Sequence, residues 1–241
     1  MKKTIGWVLI ILVWQACAAL VNKSVFPAPT SVFMALFNGS NFLFEHCAFS
    51  ILRIFTGVAI SLLIGVPTGI LMGYFNKVDK ALSPIAYFVS PIPKIALLPL
   101  IMLIFGIGEF SKIFIIVIIM IFQVIVTVRD SVKTIPEEYF IPFFTVRAPK
   151  RRIISDIILP ASLPEIFTSI RIGLATAISV LFFTETFGTR YGMGFFIMDM
   201  WMRLDYPHMY LGIILLAFIG FVLTALLDYM EKLLCPWKKT K

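Results

Sequence analysis

The sequence predicts an all-α integral membrane protein with six membrane-spanning helices and a long polar segment between the fourth and the fifth. Three observations lead there. Of 241 residues, 60% are hydrophobic and only 14% charged, with a mean hydropathy of +0.98; a soluble domain carries about 25% charged residues. Apolar runs of roughly 20 residues, the length that crosses a bilayer, recur along the chain. The positive residues behind the net charge of +8 gather in alternate connections between those runs. Together these exclude a disordered chain, a nucleic-acid-binding domain and an ordinary soluble enzyme.

The first run, Ile5 to Val21, follows Lys2-Lys3. A cleaved leader would begin in the same way, but Trp14 and Gln15 suit a lipoprotein cleavage site before Cys17 poorly, so the run is read as a retained first helix. The second covers about Leu52 to Phe75. Within it Gly57, Ser61, Gly65, Gly69 and Gly73 recur every four residues. That spacing lines one helix face with small side chains and lets another backbone approach closely. Pro67 among them predicts a bend. The third run covers about Leu82 to Phe105 with Lys94 in its middle, and the fourth Ile113 to Val128. The fifth runs from about Ile166 to Phe187 and the last from about Met209 to Leu227. The chain is accordingly divided into residues 1–49 (first helix and an extracellular segment), 50–234 (a core holding the other five spans, with its polar segment at about 129–164) and 235–241 (a cytoplasmic basic tail).

Lysine and arginine set the orientation. With the N-terminus placed in the cytoplasm, the inside holds fourteen: Lys2, Lys3, Lys77, Lys80, Arg129, Lys133, Arg147, Lys150, Arg151, Arg152, Lys232, Lys238, Lys239 and Lys241. The outside holds four: Lys23, Lys112, Arg190 and Arg203. Both termini are therefore expected in the cytoplasm, in a multi-pass protein of the cell membrane.

Lys94 and Glu185 are the ionisable residues deepest in apolar stretches. A charge at mid-bilayer costs about 2.5–3.5 kcal/mol on insertion scales and normally faces the bundle interior or water. Two readings stay open: they line a translocation path, or Lys94 satisfies carbonyls freed by Pro91, Pro93 and Pro99 while Glu185 caps the fifth helix. Gln123, Thr127, Thr176, Ser179 and Thr184 are weaker pathway candidates, because Ser and Thr often bond to their own helix. Nothing points to catalysis. The GxxxxGK[ST] phosphate loop does not occur. His46 and His208 stand alone near predicted membrane edges, where an interfacial role is expected, and Cys17, Cys47 and Cys235 have no metal or redox spacing. No catalytic or metal-binding residue is assigned.

The polar segment Arg129 to Pro164 is too long to be an ordinary connection. Pro136 with Glu137-Glu138 suits a helix start, and Tyr139, Phe140, Phe143 and Phe144 then follow at helical spacing as an aromatic face. Pro149 ends the stretch before Lys150-Arg151-Arg152. An amphipathic helix on the lipid surface would have such a composition. A bulky aromatic knob held beside a membrane domain points more strongly to docking of a partner protein.

Here the residues carry a resemblance. Ile135-Pro136-Glu137-Glu138, Arg147-Ala148 and Ile157 through Pro164 resemble the cytoplasmic EAA loop of binding-protein-dependent ABC transporter permeases. Pro27-Ala28-Pro29-Thr30, Pro91 through Leu100, Phe105 through Glu109 and Glu185 through Gly194 are similar to segments of the nitrate, sulfonate and taurine branch, so the likeness covers nearly the whole chain. It implies a type I permease fold, a second permease copy, two ATPase subunits carrying ATP and Mg, an extracytoplasmic solute-binding protein, and contact with membrane lipid but not nucleic acid. It also implies that Glu137, Glu138, Tyr139, Phe140, Phe143, Phe144, Arg147, Ala148, Lys150 and Arg151 couple to the ATPase. The solute would be a small organic or inorganic anion or a vitamin precursor. Two departures stand out: Ile141-Pro142-Phe143 replaces Glu-Ala-Ala, and Arg147 replaces a loop glycine. Arginine adopts a positive φ only at a cost, so the turn is expected to be rebuilt. The rival reading is a secondary transporter or channel that needs no ATPase; it would more often show inverted repeats and coupling-ion residues.

Overall fold

The computed structural model describes residues 2–21, 24–38, 40–89 and 91–238; Lys23, Lys239 and Lys241 of the charge tally lie outside them. Among the described residues every regular element is helical. In order they are α1 (Lys2–Val21), α2 (Pro29–Asn38), α3 (Ser40–Tyr74), α4 (Asn76–Val89), a 3-10 turn (Lys94–Leu97), α5 (Leu98–Phe105), α6 (Glu109–Lys133), a 3-10 turn (Glu137–Tyr139), α7 (Ile141–Thr145), α8 (Lys150–Ile153), a π turn (Ile154–Ile158), α9 (Leu159–Glu185), α10 (Met193–Met202) and α11 (Tyr206–Leu234). Four stretches are each long and apolar enough to cross a membrane: Leu43–Tyr74, Glu109–Lys133, Lys150–Glu185 and Tyr206–Leu234. The first predicted span coincides with α1, a helix of 20 residues.

The predicted third span is not one straight helix. Asn76–Val89 and Lys94–Phe105 are bent by 81° to one another. The reason is the pair Pro91 and Pro93: each lacks a backbone N–H, and each disfavours helical geometry in the residue before it. Lys94 thus opens a 3-10 turn beside a break instead of sitting inside a helix. The second half ends where Gly106 takes φ +81°, a conformation open to glycine without a Cβ penalty.

The chain forms two compact units. The first comprises Met1–Leu52 with Phe182–Ile219. In it Trp14 and Phe26 pack their rings about Tyr210, at 6.1 and 6.2 Å between centroids. α10 follows its N-cap Gly192 and meets α11 closely: a Cβ on Gly212 would come within 2.7 Å of Ile197 and 2.9 Å of Phe196.

The second unit comprises Arg53–Leu181 with Gly220–Lys241, and α6 lies at its centre. Ile115, Ile116, Met120, Val124 and Val128 of that helix are wholly enclosed. One part of the core joins them to Ile54, Leu98, Leu174 and Ala177; the other joins them to Ile70, Ile153, Ile158 and Ile166. Glu109 in the first turn of α6 and Lys133 in the last complement the helix dipole. Along α3, a Cβ added to Gly57 would meet Ile116 at 2.5 Å, to Gly65 Val124 at 2.9 Å, to Gly69 Val128 at 2.7 Å and to Gly73 Val132 at 2.5 Å. Ser61 keeps the same face by bonding to Gly57 O at 2.7 Å. Each partner lies 59 positions further along the chain, so α3 and α6 pack side by side in the same direction at constant register.

Candidate functional site

The segment after α6 folds into two short helical pieces. Pro136 takes an extended conformation before the 3-10 turn, and Pro142 sits in the first turn of α7, where its missing N–H costs nothing. The helix closes on Arg147. Ala148 N–H donates to Phe143 O at 2.8 Å and Arg147 N–H to Phe144 O at 3.0 Å. That is a Schellman closure, with Arg147 in its left-handed position at φ +52°. The turn is therefore kept, not rebuilt: the arginine accepts the conformation that a glycine would hold without strain. The two bonds satisfy carbonyls that the helix end would otherwise leave open.

The four aromatic residues do not share one face. Phe140 and Phe143 are half-buried against the core of the second unit, while Tyr139 and Phe144 are 63% and 58% exposed. A 3-10 turn advances 120° per residue instead of 100°. The change from that turn to α7 shifts the phase on which a single aromatic face depends. Phe140 and Phe144 still stack at 6.1 Å. Glu137, Glu138, Arg147, Lys150 and Arg151 are exposed, and Ala148 is half-buried. Behind the segment lies a cavity of about 680 Å³ between Tyr139 and Phe143 on one side and Asp156, Glu165 and Trp237 on others.

Immediately before the segment, an ionic hub fixes the end of α6. Asp79 on α4 accepts from Arg129 Nε at 2.5 Å and Nη2 at 3.1 Å, from Ser83 Oγ at 2.5 Å and from Lys133 Nζ. Two further clusters lie in the same unit. Arg53 and Lys112, both about 1% exposed, flank Glu109, which Arg53 grips in a two-point contact at 2.6 Å. Arg171 reaches Asp228 and Glu231 on α11 at 2.6 Å, and Glu231 also accepts from Lys238 at 2.7 Å. Sequence reasoning left these partners out. The available signal was that a charge inside an apolar run requires a counter-charge, but the arginines Arg53, Arg129 and Arg171 find theirs 50 to 60 residues away along the chain.

The pathway candidates part company. Lys94 is half-buried, its Nζ 6.0 Å from the Phe122 ring centre. Gln123 and Thr127 are also half-buried on α6. Thr176 and Ser179 are exposed on one stripe of α9 with Ile172 and Ala175, each hydroxyl bonded back to its own helix, at 3.3 and 3.1 Å. Thr184 and Glu185 are wholly buried in the first unit. The Glu185 carboxylate accepts from Ser50 Oγ at 2.8 Å and from Gly194 N–H at 2.9 Å, while Ser50 Oγ accepts Met193 N–H at 2.8 Å. His46 is buried as well, not interfacial, with Nδ1 at 3.0 Å from both N and O of Gly192. The chain between α9 and α10 is thus tied to α3 at residues 192 and 193, and at 194 to Glu185, which Ser50 of α3 also holds. Among the described residues no group of His, Cys, Asp and Glu could hold a metal ion.

The family model described as binding-protein-dependent transport system inner membrane component matches residues 65–239. The chain belongs to that permease family. The matched region contains α4 to α11, and with them the ionic hub and the segment between α6 and α9. Among similar proteins, the taurine transport system permease protein TauC of Escherichia coli is 31% identical over 97% of this permease and 89% of its own length. The formylaminopyrimidine transport permease protein ThiX of Halalkalibacterium halodurans is 27% identical over 99% and 96%. The putative aliphatic sulfonates transport permease protein SsuC of Bacillus subtilis is 28% identical over 99% and 91%. In solved structures the fold is that of the inward-facing MetNI methionine ABC transporter, with a TM-score of 0.69 and 20% identity over 80% of this permease and 96% of that chain. The protein is a multi-pass membrane transport subunit.

Proposed function

We propose that this permease forms the membrane pathway of an ATP-driven importer, with two copies enclosing the path, two ATPase subunits seated on the segment between α6 and α9, and a solute-binding protein at the opposite face. ATP and Mg reside on the ATPase, and this chain performs no covalent chemistry. The segment and both termini face the cytoplasm, as the fourteen-to-four partition of positive residues supports. The observation that carries the reading is the outward presentation of Tyr139 and Phe144 beside Arg147, Lys150 and Arg151. Exposed aromatics and arginines are the side chains that anchor protein interfaces. Glu137, Glu138, Phe140, Phe143 and Ala148 shape that knob from within or at its edge.

Lys94, Gln123, Thr176 and Ser179 are the positions proposed to face the path. A lysine favours an anionic solute, and taurine, sulfonates and bicarbonate appear in the names of related permeases, alongside a vitamin precursor. Tyr139→Asp with Phe144→Asp tests the coupling reading. Both side chains are mainly exposed, so the variant inserts and elutes as the parent does, but it fails to retain the ATPase encoded beside it during purification in mild detergent. Retention at the parental ratio refutes the docking surface. Identifying the neighbouring binding protein and measuring its ligand fixes the solute.

A further inference from the structure

α4 is held in an unusual way. Of its fourteen residues only Asp79 and Ala86 are buried, while Ile85, Tyr87 and Phe88 are exposed. Apolar burial therefore does little to fasten it. What fastens it is the Asp79 carboxylate, with donors from Arg129 and Lys133 of α6. Tyr87 OH adds a further contact to Arg129 Nη1 at 2.8 Å, its ring 5.5 Å from the guanidinium. Charge-assisted and two-point contacts of this kind are stronger and more directional than neutral ones. Both cations lie in the last two turns of α6, and the coupling segment begins at once, with Thr134 N–H donating to Asp130 O at 3.1 Å. At its other end α4 stops at Val89, before Pro91 and Pro93. Neither proline can donate a helical hydrogen bond, so the chain can hinge there.

We infer that Asp79 is the pin through which movement of the coupling segment is passed to the bent pair α4–α5, a positioning role that rests on the coupling reading above. A helix with one ionic pin and a proline hinge follows the element that holds the pin. Displacement of the coupling segment shifts the last turns of α6, Arg129 and Lys133 carry Asp79 with them, and α4 swings about Pro91 and Pro93. The hydrophobic seam along α3 holds the remainder of α6 in register meanwhile.

The test uses the assembled permease–ATPase complex, with the three native cysteines changed to serine and a polarity-sensitive probe at Lys80→Cys on α4 or at Thr145→Cys in the coupling segment. Both positions are exposed. ATP with vanadate should change the signal at both in the parent. In Asp79→Asn, which keeps the side-chain size and removes the charge, the change at 145 should persist and the change at 80 should be lost; Asp79→Glu should restore it. An undiminished response at 80 in Asp79→Asn overturns the inference, as does a parent that responds at 145 alone. No response at 145 in the parent overturns the coupling reading and the inference with it. If Asp79→Asn does not assemble, Arg129→Gln is compared in the same way, and an undiminished response at 80 is again decisive against the pin.

Discussion

Gly69→Ala puts the α3–α6 seam to a quantitative test. The added methyl would lie 2.7 Å from Val128 Cβ and 2.8 Å from Ile125 O. A valine can rotate, but Cβ cannot leave its own backbone and a helical carbonyl cannot retreat without moving α6. Inserting a methyl into such packing costs about 1–3 kcal/mol. Against that, alanine in place of glycine gains up to about 1 kcal/mol of helix propensity. Because a Cβ and a backbone carbonyl block the methyl, the packing cost falls in the upper part of its range, about 2–3 kcal/mol. The net loss is about 1–2 kcal/mol, or roughly 2–8 °C in the unfolding midpoint of a chain this size. The control is Gly108→Ala, where nothing lies within 4 Å of the new methyl and the backbone is extended at φ −142°. Thermal unfolding of both purified variants in the same detergent supplies the comparison. If Gly69→Ala melts with the control, the helices are not in van der Waals contact at this point and the seam argument fails.

Two other variants probe the turns. Ser50→Ala removes the hydroxyl between Met193 N–H and Glu185, leaving a buried donor unpaired; a loss of about 1–3 kcal/mol is expected, with faster proteolysis at the exposed Arg190, and unchanged cleavage would argue against the tie. Arg147→Gly should raise the unfolding midpoint by relieving about 1 kcal/mol of left-handed strain, while weakening ATPase retention; a lower midpoint would mean the arginine side chain contributes more to the fold than its backbone costs.

Much of this architecture is legible in the chain because it is one-dimensional. Apolar runs announce the spans, and a small residue at every fourth position announces a close helix contact without naming the partner. What escaped is set by three-dimensional pairing or by local phase. The third span looks continuous because Pro91, Ile92 and Pro93 are as apolar as their neighbours, so hydropathy runs straight through a break in hydrogen bonding. The aromatic residues between α6 and α8 have the spacing of one helix face, yet a 3-10 turn divides them between the core and the surface. Asp79 looks like an ordinary charge near a membrane edge until folding places Arg129, 50 residues away, against it. The left-handed Arg147 was legible as a problem, but its outcome was not: the surrounding hydrogen bonds outweigh the strain.

The constant register between α3 and α6 has a topological consequence. Both are long and apolar enough to cross the membrane, and because matched partners advance together from Gly57–Ile116 to Gly73–Val132, both run across it in the same sense. The chain joining the end of one to the start of the other must therefore travel back to the side it came from. Only residues 75–108 are available for that return stroke. The bent pair α4–α5 is consequently a complete traverse and not a loop that dips in and leaves by the same face. The traverse that parallel packing requires is also the one interrupted by two prolines, so the permease makes one of its membrane passages through a joint.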